Sequence, residues 1–152
     1  MNDKRIEEVR VTDVLTEAGK HSPPATVRSD SRLRDAVDAI LSSETRKVYV
    51  LDLDGKLIGT ITLETLLRHA GYRLGVRKAG VTSFLRMLAE MSEDQVTGFM
   101  NSPVRILGDE LLVNATRLMV EAHLNDLPVV DSSNTLIGEL NGLDILRMSR
   151  EW

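Results

Sequence analysis

Apolar residues in the first half of the chain recur with the spacing of a helix. Five of them stand at i, i+3, i+4, i+7 and i+8, which form one helical face: Leu33, Ala36, Val37, Ile40 and Leu41. Asp30-Ser31 precedes them, and its side-chain oxygens can accept hydrogen bonds from the free N–H groups of a first turn. Because the extended segment 25–27 comes before it, the pattern predicts a strand followed by an amphipathic helix.

Two short apolar runs follow at 48–53 and 57–62, and the turn dipeptide Asp54-Gly55 joins them. This dipeptide accommodates positive φ, so the runs predict a β-hairpin. Thr62 is then a good N-cap for a second helix. The residues that this helix is expected to bury are Leu63, Leu66 and Leu67. The predicted order of elements is β-α-β-β-α.

The second half of the chain repeats this order. A shift of 79 positions aligns 24–67 with 103–146 without a gap, and ten positions are identical. The identical pairs are Pro24/Pro103, Asp30/Asp109, Leu33/Leu112, Ala36/Ala115, Val50/Val129, Asp52/Asp131, Leu57/Leu136, Ile58/Ile137, Gly59/Gly138 and Leu67/Leu146. In this second copy, Ser133-Asn134 is the predicted turn and Asn141 is the predicted N-cap. The residues expected to be buried on its last helix are Leu143, Ile145 and Leu146.

The segments ahead of the two copies also correspond, but at an offset of 85. Residues 11–15 align with 96–100, so copy one carries six extra residues around His21-Ser22-Pro23. One copy of roughly 50–60 residues is near the size at which a lone core is marginal. We therefore expect 1–71 and 96–152 to form two repeats that pack through their sheets as a pseudo-twofold pair.

The segment between the repeats, residues 72–95, is expected to be a linker that contains a helix. Its first nine residues are basic and punctuated by glycine, which predicts a loop. Thr82-Ser83 can then cap a helix with Phe84, Leu88 and Met91 on one face. Packing on the protein's own surface and a contact with a partner are both open for this helix, since Met-rich faces adapt to several surfaces.

Composition narrows the possible functions. The 152 residues are 42% hydrophobic but only 3% aromatic, and the net charge is −4. Few aromatic rings and no basic stripe disfavour nucleic-acid binding. Cysteine is absent, which excludes disulfides and thiolate metal sites, and no apolar run approaches the roughly 20 residues of a membrane span. The charged N-terminus lacks a signal-peptide core, so we expect a soluble cytoplasmic protein.

Motifs of known catalytic or metal sites are missing from the sequence. Asp52-x-Asp54-Gly55 resembles the start of a calcium loop, but no glutamate closes it and a hairpin turn explains it better. The three histidines lack metal-ligand spacing. Glycine-rich phosphate loops and the Gly-x-Ser-x-Gly elbow do not occur. We therefore expect no enzyme activity, no metal and no required cofactor.

Each copy closes with a similar phrase, VLD…LIGTIT at 50–62 and LPVVD…LIGELNGLDIL at 127–146. In order, spacing and duplication these phrases resemble the cystathionine β-synthase (CBS) domain family, whose members occur as tandem pairs. The resemblance implies an α/β (α+β) CBS pair. It also implies a regulatory module that binds AMP, ADP, ATP or S-adenosylmethionine in a cleft between the repeats and signals to a separate effector protein.

The resemblance further implies a ligand site. The family's ribose-binding aspartate lies six positions after the glycine of the closing strand; Asp144 matches it in copy two, whereas Thr65 stands there in copy one. The family's Thr or Ser, three positions after that glycine, is Thr62 in copy one and Asn141 in copy two. A carboxylate can accept hydrogen bonds from both ribose hydroxyls, so the better site is expected in copy two.

The remaining contacts are implied in the same way. Adenine is expected against the backbone of Val104-Arg105 and the apolar wall of Leu127-Pro128, and a helix N-terminus favours a phosphate. The candidate phosphate partners are Arg28, Arg46, Lys47 and Arg105. The simpler interpretation of Asp144 is a first-turn carboxylate that stabilises its helix by about 0.3–1 kcal/mol, and of Thr62 and Asn141 that they are helix caps.

Two further expectations concern assembly and an alternative function. The family's pairs commonly dimerise, so we expect a homodimer, with Leu41, Leu67 and Leu146 as candidate interface residues. The alternative function is a dimerisation or interaction module whose nucleotide sites have degenerated, which the Thr65 mismatch supports.

Overall fold

The computed structural model describes residues 6–17, 24–43, 45–74 and 80–150. Within these ranges, short 3-10 helices at Ile6–Glu8 and Val96–Gly98 accompany six α-helices and six strands. In chain order the elements are α1 (Val11–Glu17), β1 (Thr26–Arg28), α2 (Leu33–Ser43), β2 (Lys47–Leu51), β3 (Leu57–Thr62), α3 (Leu63–Leu74), α4 (Val81–Met91), β4 (Ile106–Leu107), α5 (Leu112–Glu121), β5 (Asp126–Val130), β6 (Leu136–Asn141) and α6 (Gly142–Ser149). In the described part of the chain, no helix has the length and apolar character needed to cross a membrane.

The strands form two equivalent three-stranded sheets, and the predicted β-α-β-β-α order is confirmed in both copies. β1 pairs with β2 in parallel and β2 with β3 antiparallel, and β4, β5 and β6 repeat this arrangement. Lys47 pairs with Thr62 as Asp126 pairs with Asn141, which is the shift of 79 expressed in the hydrogen-bonded register. Gly55 (φ 80°) and Asn134 (φ 63°) supply the positive φ at the two hairpin turns.

Two compact units make up the protein, and each combines segments from both halves of the sequence. The copy-one unit is Ala25–Pro103, and the copy-two unit is Met1–Pro24 together with Val104–Trp152. The segment ahead of each repeat therefore belongs to the unit of the other repeat. We call these two segments, around 9–17 and 94–103, the exchanged segments. This division in space differs from the sequence-based division into 1–71, 72–95 and 96–152. The inserted residues His21-Ser22-Pro23 lie outside the described ranges.

Equivalent hydrogen bonds attach the exchanged segments in the two units. The N–H of Val11 donates to the carbonyl of Glu110 at 3.0 Å, and the N–H of Val96 donates to the carbonyl of Ser31 at 3.0 Å. The two donors, Val11 and Val96, are related by the offset of 85. The two acceptors, Ser31 and Glu110, are related by the shift of 79. The exchange therefore obeys the same repeat that the sequence shows.

The exchanged segments also explain where the first helix of each repeat begins. The predicted start at Asp30-Ser31 is wrong, because α2 begins at Leu33. The N–H of Leu33 donates to the carbonyl of Asp94 at 2.8 Å, and in α5 the N–H of Leu112 donates to the carbonyl of Val9 at 2.8 Å. Backbone carbonyls of the exchanged segments thus satisfy first-turn donors that side-chain caps were expected to satisfy.

Each unit has its own apolar core. The copy-one core contains the predicted Leu33, Ala36 and Ile40 of α2, and the copy-two core contains the equivalent residues of α5. The last helix of each copy, α3 or α6, was expected to bury two leucines on its outer side, and this prediction is wrong. Those residues are exposed by 42% (Leu63), 44% (Leu67), 57% (Leu143) and 62% (Leu146).

The inter-repeat segment confirms the predicted helix but not its predicted start. Residues 72–74 still belong to α3, so the expected loop is wrong there, and 75–79 lie outside the described ranges. α4 begins after the N-cap Gly80, whose backbone is extended, and not at Thr82-Ser83. Phe84, Leu88 and Met91 contribute to the copy-one core, which confirms packing on the protein's own surface.

Candidate functional site

The copy-two candidate site lies at the end of the sheet where β6 ends and α6 begins. Asn141 is the N-cap of α6, as predicted, and its Oδ1 accepts a hydrogen bond from the N–H of Leu143 at 2.7 Å. Its Nδ2 donates to Asp126 Oδ1, 2.6 Å away at the start of β5. Both polar ends of the Asn141 side chain are therefore engaged within the protein, which fixes the start of the helix.

Asp144 is the third residue of α6 and is buried, with only 4% of its surface exposed. Its Oδ1 accepts a hydrogen bond from Arg147 Nη1 at 2.8 Å, one turn further along the helix. The Arg147 side chain is 63% exposed and the Asp144 side chain is 4% exposed, so an exposed cation pairs with a buried carboxylate. A carboxylate can accept hydrogen bonds from hydroxyl groups and a guanidinium can donate to an anion, and the two groups lie side by side at this helix end.

Sequence reasoning missed Arg147, although the repeat contained a sign of it. The shift of 79 also aligns Arg68 with Arg147, directly after the last matched pair. In copy one, Arg68 lies 3.9 Å from Glu64, a neighbour on α3, whereas in copy two Leu143 replaces that glutamate. Arg147 pairs instead with Asp144.

The expected adenine wall lies at the same end of the sheet as Asp144. Leu127 and Pro128 are buried in β5, and Leu127 pairs with Leu140 of β6, one residue before Asn141. Ile106 pairs with Val129 in the parallel β4–β5 ladder, and Val104 lies two residues before β4 begins. Val104 is 39% exposed and therefore accessible to a ligand.

The Arg105 side chain points away from this end. Its guanidinium donates to Asn134 Oδ1 in the turn between β5 and β6. That turn and the ends of β4 and β5 line an open cleft of about 580 Å³, whose wall includes Arg105 and Glu110 but neither Asp144 nor Asn141. This cleft and the end of β6 that carries Asn141 and Asp144 lie at opposite ends of the sheet.

Copy one has a closed hydrogen-bond network in place of the carboxylate. Thr65 is 3% exposed, and its Oγ1 lies 2.9 Å from Thr62 Oγ1. Asn101, from the exchanged segment, donates its Nδ2 to Thr65 Oγ1 at 3.0 Å. Thr62 Oγ1 also accepts from the N–H of Thr65 at 3.1 Å, which confirms its role as a cap. The protein itself thus uses the polar groups at this position.

The basic residues of copy one fall at two different ends of its sheet. Arg46 and Lys47 lie at the start of β2, beside the first residue of α3, and the ammonium of Lys47 is 5.5 Å from the ring centroid of Tyr49. Arg28 ends β1 and forms an exposed ion pair with Asp30 at 3.0 Å. Arg28 therefore lies away from Thr62, whereas Lys47 is the strand partner of Thr62 and Arg46 precedes it.

Comparison with known proteins identifies the repeats. A family model described as "CBS domain" matches residues 11–72 and 96–151. A protein of Methanocaldococcus jannaschii, named only as uncharacterized, is 26% identical over 141 residues that cover 81% of this chain and 84% of that protein.

Solved structures share the fold. A CBS domain-containing protein of Thermotoga maritima is 28% identical, with a TM-score of 0.70 over 95% of this chain and 96% of that one. A CBS domain protein of Pyrobaculum aerophilum, solved in complex with AMP, is 15% identical, with a TM-score of 0.68 over 93% of this chain and 99% of that one. At that identity the second likeness concerns the fold alone.

Proposed function

This chain belongs to the CBS domain family, and from that premise we propose that it is a regulatory module that binds an adenine nucleotide at the Asp144 end of the copy-two unit. The observation that carries the proposal is the buried Asp144 carboxylate in the first turn of α6, paired with the exposed Arg147. The AMP complex of the Pyrobaculum aerophilum protein supports the choice of ligand class.

Each group in the proposed site has a chemical task. Asp144 accepts hydrogen bonds from the two ribose hydroxyls, and Leu127, Pro128 and the backbone at Val104-Arg105 enclose the adenine. The first N–H groups of α6 are already used, since Gly142 donates to the Asn125 carbonyl at 2.8 Å and Leu143 donates to Asn141. With these two N–H groups engaged, we propose that a phosphate is bound by the side-chain cation Arg147, which contacts the ribose acceptor Asp144.

We propose one nucleotide per chain. In copy one, Thr65 has no charge to offer, and its hydroxyl is bonded to Thr62 and Asn101. A ribose bound there would have to break these hydrogen bonds without gaining a carboxylate acceptor. Arg46 and Lys47 are then surface cations, and Thr62 acts as a helix cap.

A second candidate function is a dimerisation or interaction module with degenerate nucleotide sites. Two observations favour it: the network of copy one, and the low exposure of Asp144, at 4%, beneath Arg147. In this alternative, the Asp144–Arg147 pair only stabilises α6.

The regulatory proposal also includes assembly and output. We propose that two chains form a homodimer through apolar helix residues, among which Leu41, Leu67 and Leu146 are exposed by 69%, 44% and 62%. The nucleotide signal passes to a separate effector protein, and the module itself performs no catalysis. Because it reads cellular nucleotides, we place it in the cytoplasm.

A thermal-shift panel separates the two candidate functions. A ligand at 100 times its dissociation constant stabilises the folded state by about 2.7 kcal/mol, which raises the melting temperature measurably. We expect a shift with AMP, ADP or ATP. S-adenosylmethionine, which the relatives do not support, serves as the comparison ligand. Identical melting with and without every nucleotide would favour the degenerate module.

A further inference from the structure

The carboxylate that the proposed function assigns to the ribose is already in contact with a cation. Arg147 Nη1 donates to Asp144 Oδ1 at 2.8 Å, and only 4% of the Asp144 side chain is exposed. A carboxylate buried to this degree can be approached from few directions, and the guanidinium takes one of them. A ribose hydroxyl that donates to the same oxygen must therefore displace the guanidinium or compete with it.

The two copies differ in what this arginine contacts. Arg68, the copy-one equivalent of Arg147, lies 3.9 Å from Glu64, and both of those side chains are exposed. Copy two carries Leu143 in place of Glu64, so Asp144 is the only acidic residue of α6. The arginine of copy two therefore pairs with the same group that the proposed function uses as the ribose acceptor.

Burial of Asp144 makes the loss of this cation unfavourable. A buried carboxylate without its counter-charge is strongly destabilised, whereas the exposed guanidinium of Arg147 stays solvated when it moves away. Ribose hydroxyls are neutral donors, so they supply hydrogen bonds to the carboxylate but no counter-charge. A nucleoside bound at Asp144 therefore breaks an ion pair and forms none in its place.

A phosphate on the same ligand reverses this balance. A phosphate monoester carries about −1.5 to −2 charges at pH 7, and a guanidinium can bind its oxygens through two parallel hydrogen bonds. The Arg147 side chain is long and 63% exposed, which allows it to turn from Asp144 to a phosphate beside the ribose. The ion pair that the ribose breaks is then replaced by a new ion pair with the phosphate.

We propose that Arg147 makes the copy-two site select nucleotides over nucleosides, because its guanidinium occupies Asp144 until a phosphate binds it. This inference rests on the proposed nucleotide site and adds a specificity-determining residue to it. A ligand with ribose and phosphate satisfies both members of the pair, whereas a ligand with ribose alone satisfies only Asp144. Arg147 thus favours the binding of AMP and opposes the binding of adenosine.

Titration calorimetry of AMP and adenosine into wild type and Arg147→Met tests this inference. Methionine keeps an unbranched side chain but removes the charge and the donors. Wild type should bind AMP about ten- to a hundredfold more tightly than adenosine, the range expected for hydrogen bonds to a charged group. In Arg147→Met, the affinity for AMP should fall by about that factor, while the affinity for adenosine should rise. Arg68→Met, at the equivalent position of copy one, is the matched control and should change neither affinity.

Leu143→Glu is a second variant, and it keeps Arg147 in place. It gives Arg147 the neighbour that Arg68 has in copy one, at the i,i+4 spacing, and so draws the guanidinium away from Asp144. Leu143 is 57% exposed, so the core is not disturbed. The affinity for adenosine should rise about twofold, in keeping with the strength of an exposed i,i+4 pair, and Leu143→Gln should not raise it.

The possible results separate this inference from the proposed function. Equal affinities of wild type for AMP and adenosine would overturn the inference, and so would an affinity for adenosine that rises in neither variant. Unchanged AMP binding by Arg147→Met would also overturn it. A loss of both ligands by the same factor in Arg147→Met would mean that Arg147 only supports the structure of α6. In each of these cases the nucleotide site stands, because wild type still binds AMP, whereas wild type that binds neither ligand would remove both proposals.

Discussion

The exchange of the leading segments predicts which of the two units a core substitution destabilises. Val11 and Val96 are equivalent residues, both 0% exposed, and each belongs to the core of the unit formed by the other repeat. Val11→Ala should therefore destabilise the copy-two unit, residues 104–150, although position 11 precedes copy one in sequence. Val96→Ala should destabilise residues 25–74 in the same way.

The size of the effect follows from the side chain that is removed. Val→Ala deletes two carbon atoms, each worth about 0.8 kcal/mol in transfer free energy, or about 1.6 kcal/mol together. The cavity left in a packed core adds to this, which brings the total to roughly 2–3 kcal/mol. Amide hydrogens that exchange through opening of the affected unit should then exchange about 30- to 150-fold faster.

Native-state hydrogen exchange, resolved by peptide, is the assay, and the two variants control for each other. The expected result is a reciprocal pattern: protection falls in 104–150 for Val11→Ala and in 25–74 for Val96→Ala. If Val11→Ala weakens protection mainly in 25–74, the assignment of the leading segments to the opposite units is refuted. Equal losses in both units would mean that they open only together, and the reasoning would fail as well.

Two further predictions concern single sites. Gly59→Ala should lower the free energy of unfolding in urea by about 1–3 kcal/mol, because a Cβ there would lie 2.7 Å from Met100 Cβ. Gly138→Ala should lower it less, because its Cβ would lie 3.1 Å from Leu15 Cδ1. An equal or reversed order would contradict the packing. The carboxylate of Glu110 accepts hydrogen bonds from Asn114 and from the N–H of Leu111, which lower its pKa from 4.5. The stability that this carboxylate contributes is therefore present above about pH 4.5 and is lost as the pH falls through the lower folded-state pKa. The melting-temperature difference between wild type and Glu110→Gln should therefore shrink in acid, and a pH-independent difference would argue against this role.

The local elements of the fold could be predicted because the sequence carries their patterns twice. The turn residues Asp54-Gly55 and Ser133-Asn134 indicated the hairpins, and the spacing of the inner residues of α2 indicated that helix. The shift of 79 relates the two registers residue by residue. The cap Asn141 was also predictable, since an asparagine at the end of a strand can satisfy the first N–H groups of the next helix.

Long-range features could not be predicted from the same patterns. The offset of 85 showed that 11–15 and 96–100 are related, but not which repeat each one packs against. The outer leucines were predicted to be buried because they continue an apolar pattern. Only a narrow stripe of a helix surface packs against the sheet. Leu67 and Leu146 lie about 100° around the helix axis from that stripe and therefore remain exposed.

The candidate site was predictable in part. Asp144 and Asn141 were chosen from the resemblance to CBS domains, and the expected adenine contact Leu127 lies at the same end of the sheet. Arg105 was expected beside them, but its side chain turns to Asn134. Arg147, the partner of Asp144, could be found only by aligning the copies, because Arg68 in copy one pairs with Glu64 and the equivalents of Glu64 and Thr65 are Leu143 and Asp144.

Calorimetric titration of AMP into wild type and Asp144→Asn tests the central claim most directly. Asparagine keeps the shape of the buried side chain but removes the charge that receives the ribose hydroxyls. The account predicts saturable binding of about one AMP per chain to wild type. It predicts binding roughly ten- to a hundredfold weaker to Asp144→Asn, because a hydrogen bond to a charged group is worth about 1.5–3 kcal/mol. Thr65→Ala should bind AMP as wild type does. Wild-type protein that takes up no AMP, or a Thr65→Ala variant that loses more affinity than Asp144→Asn, would contradict it.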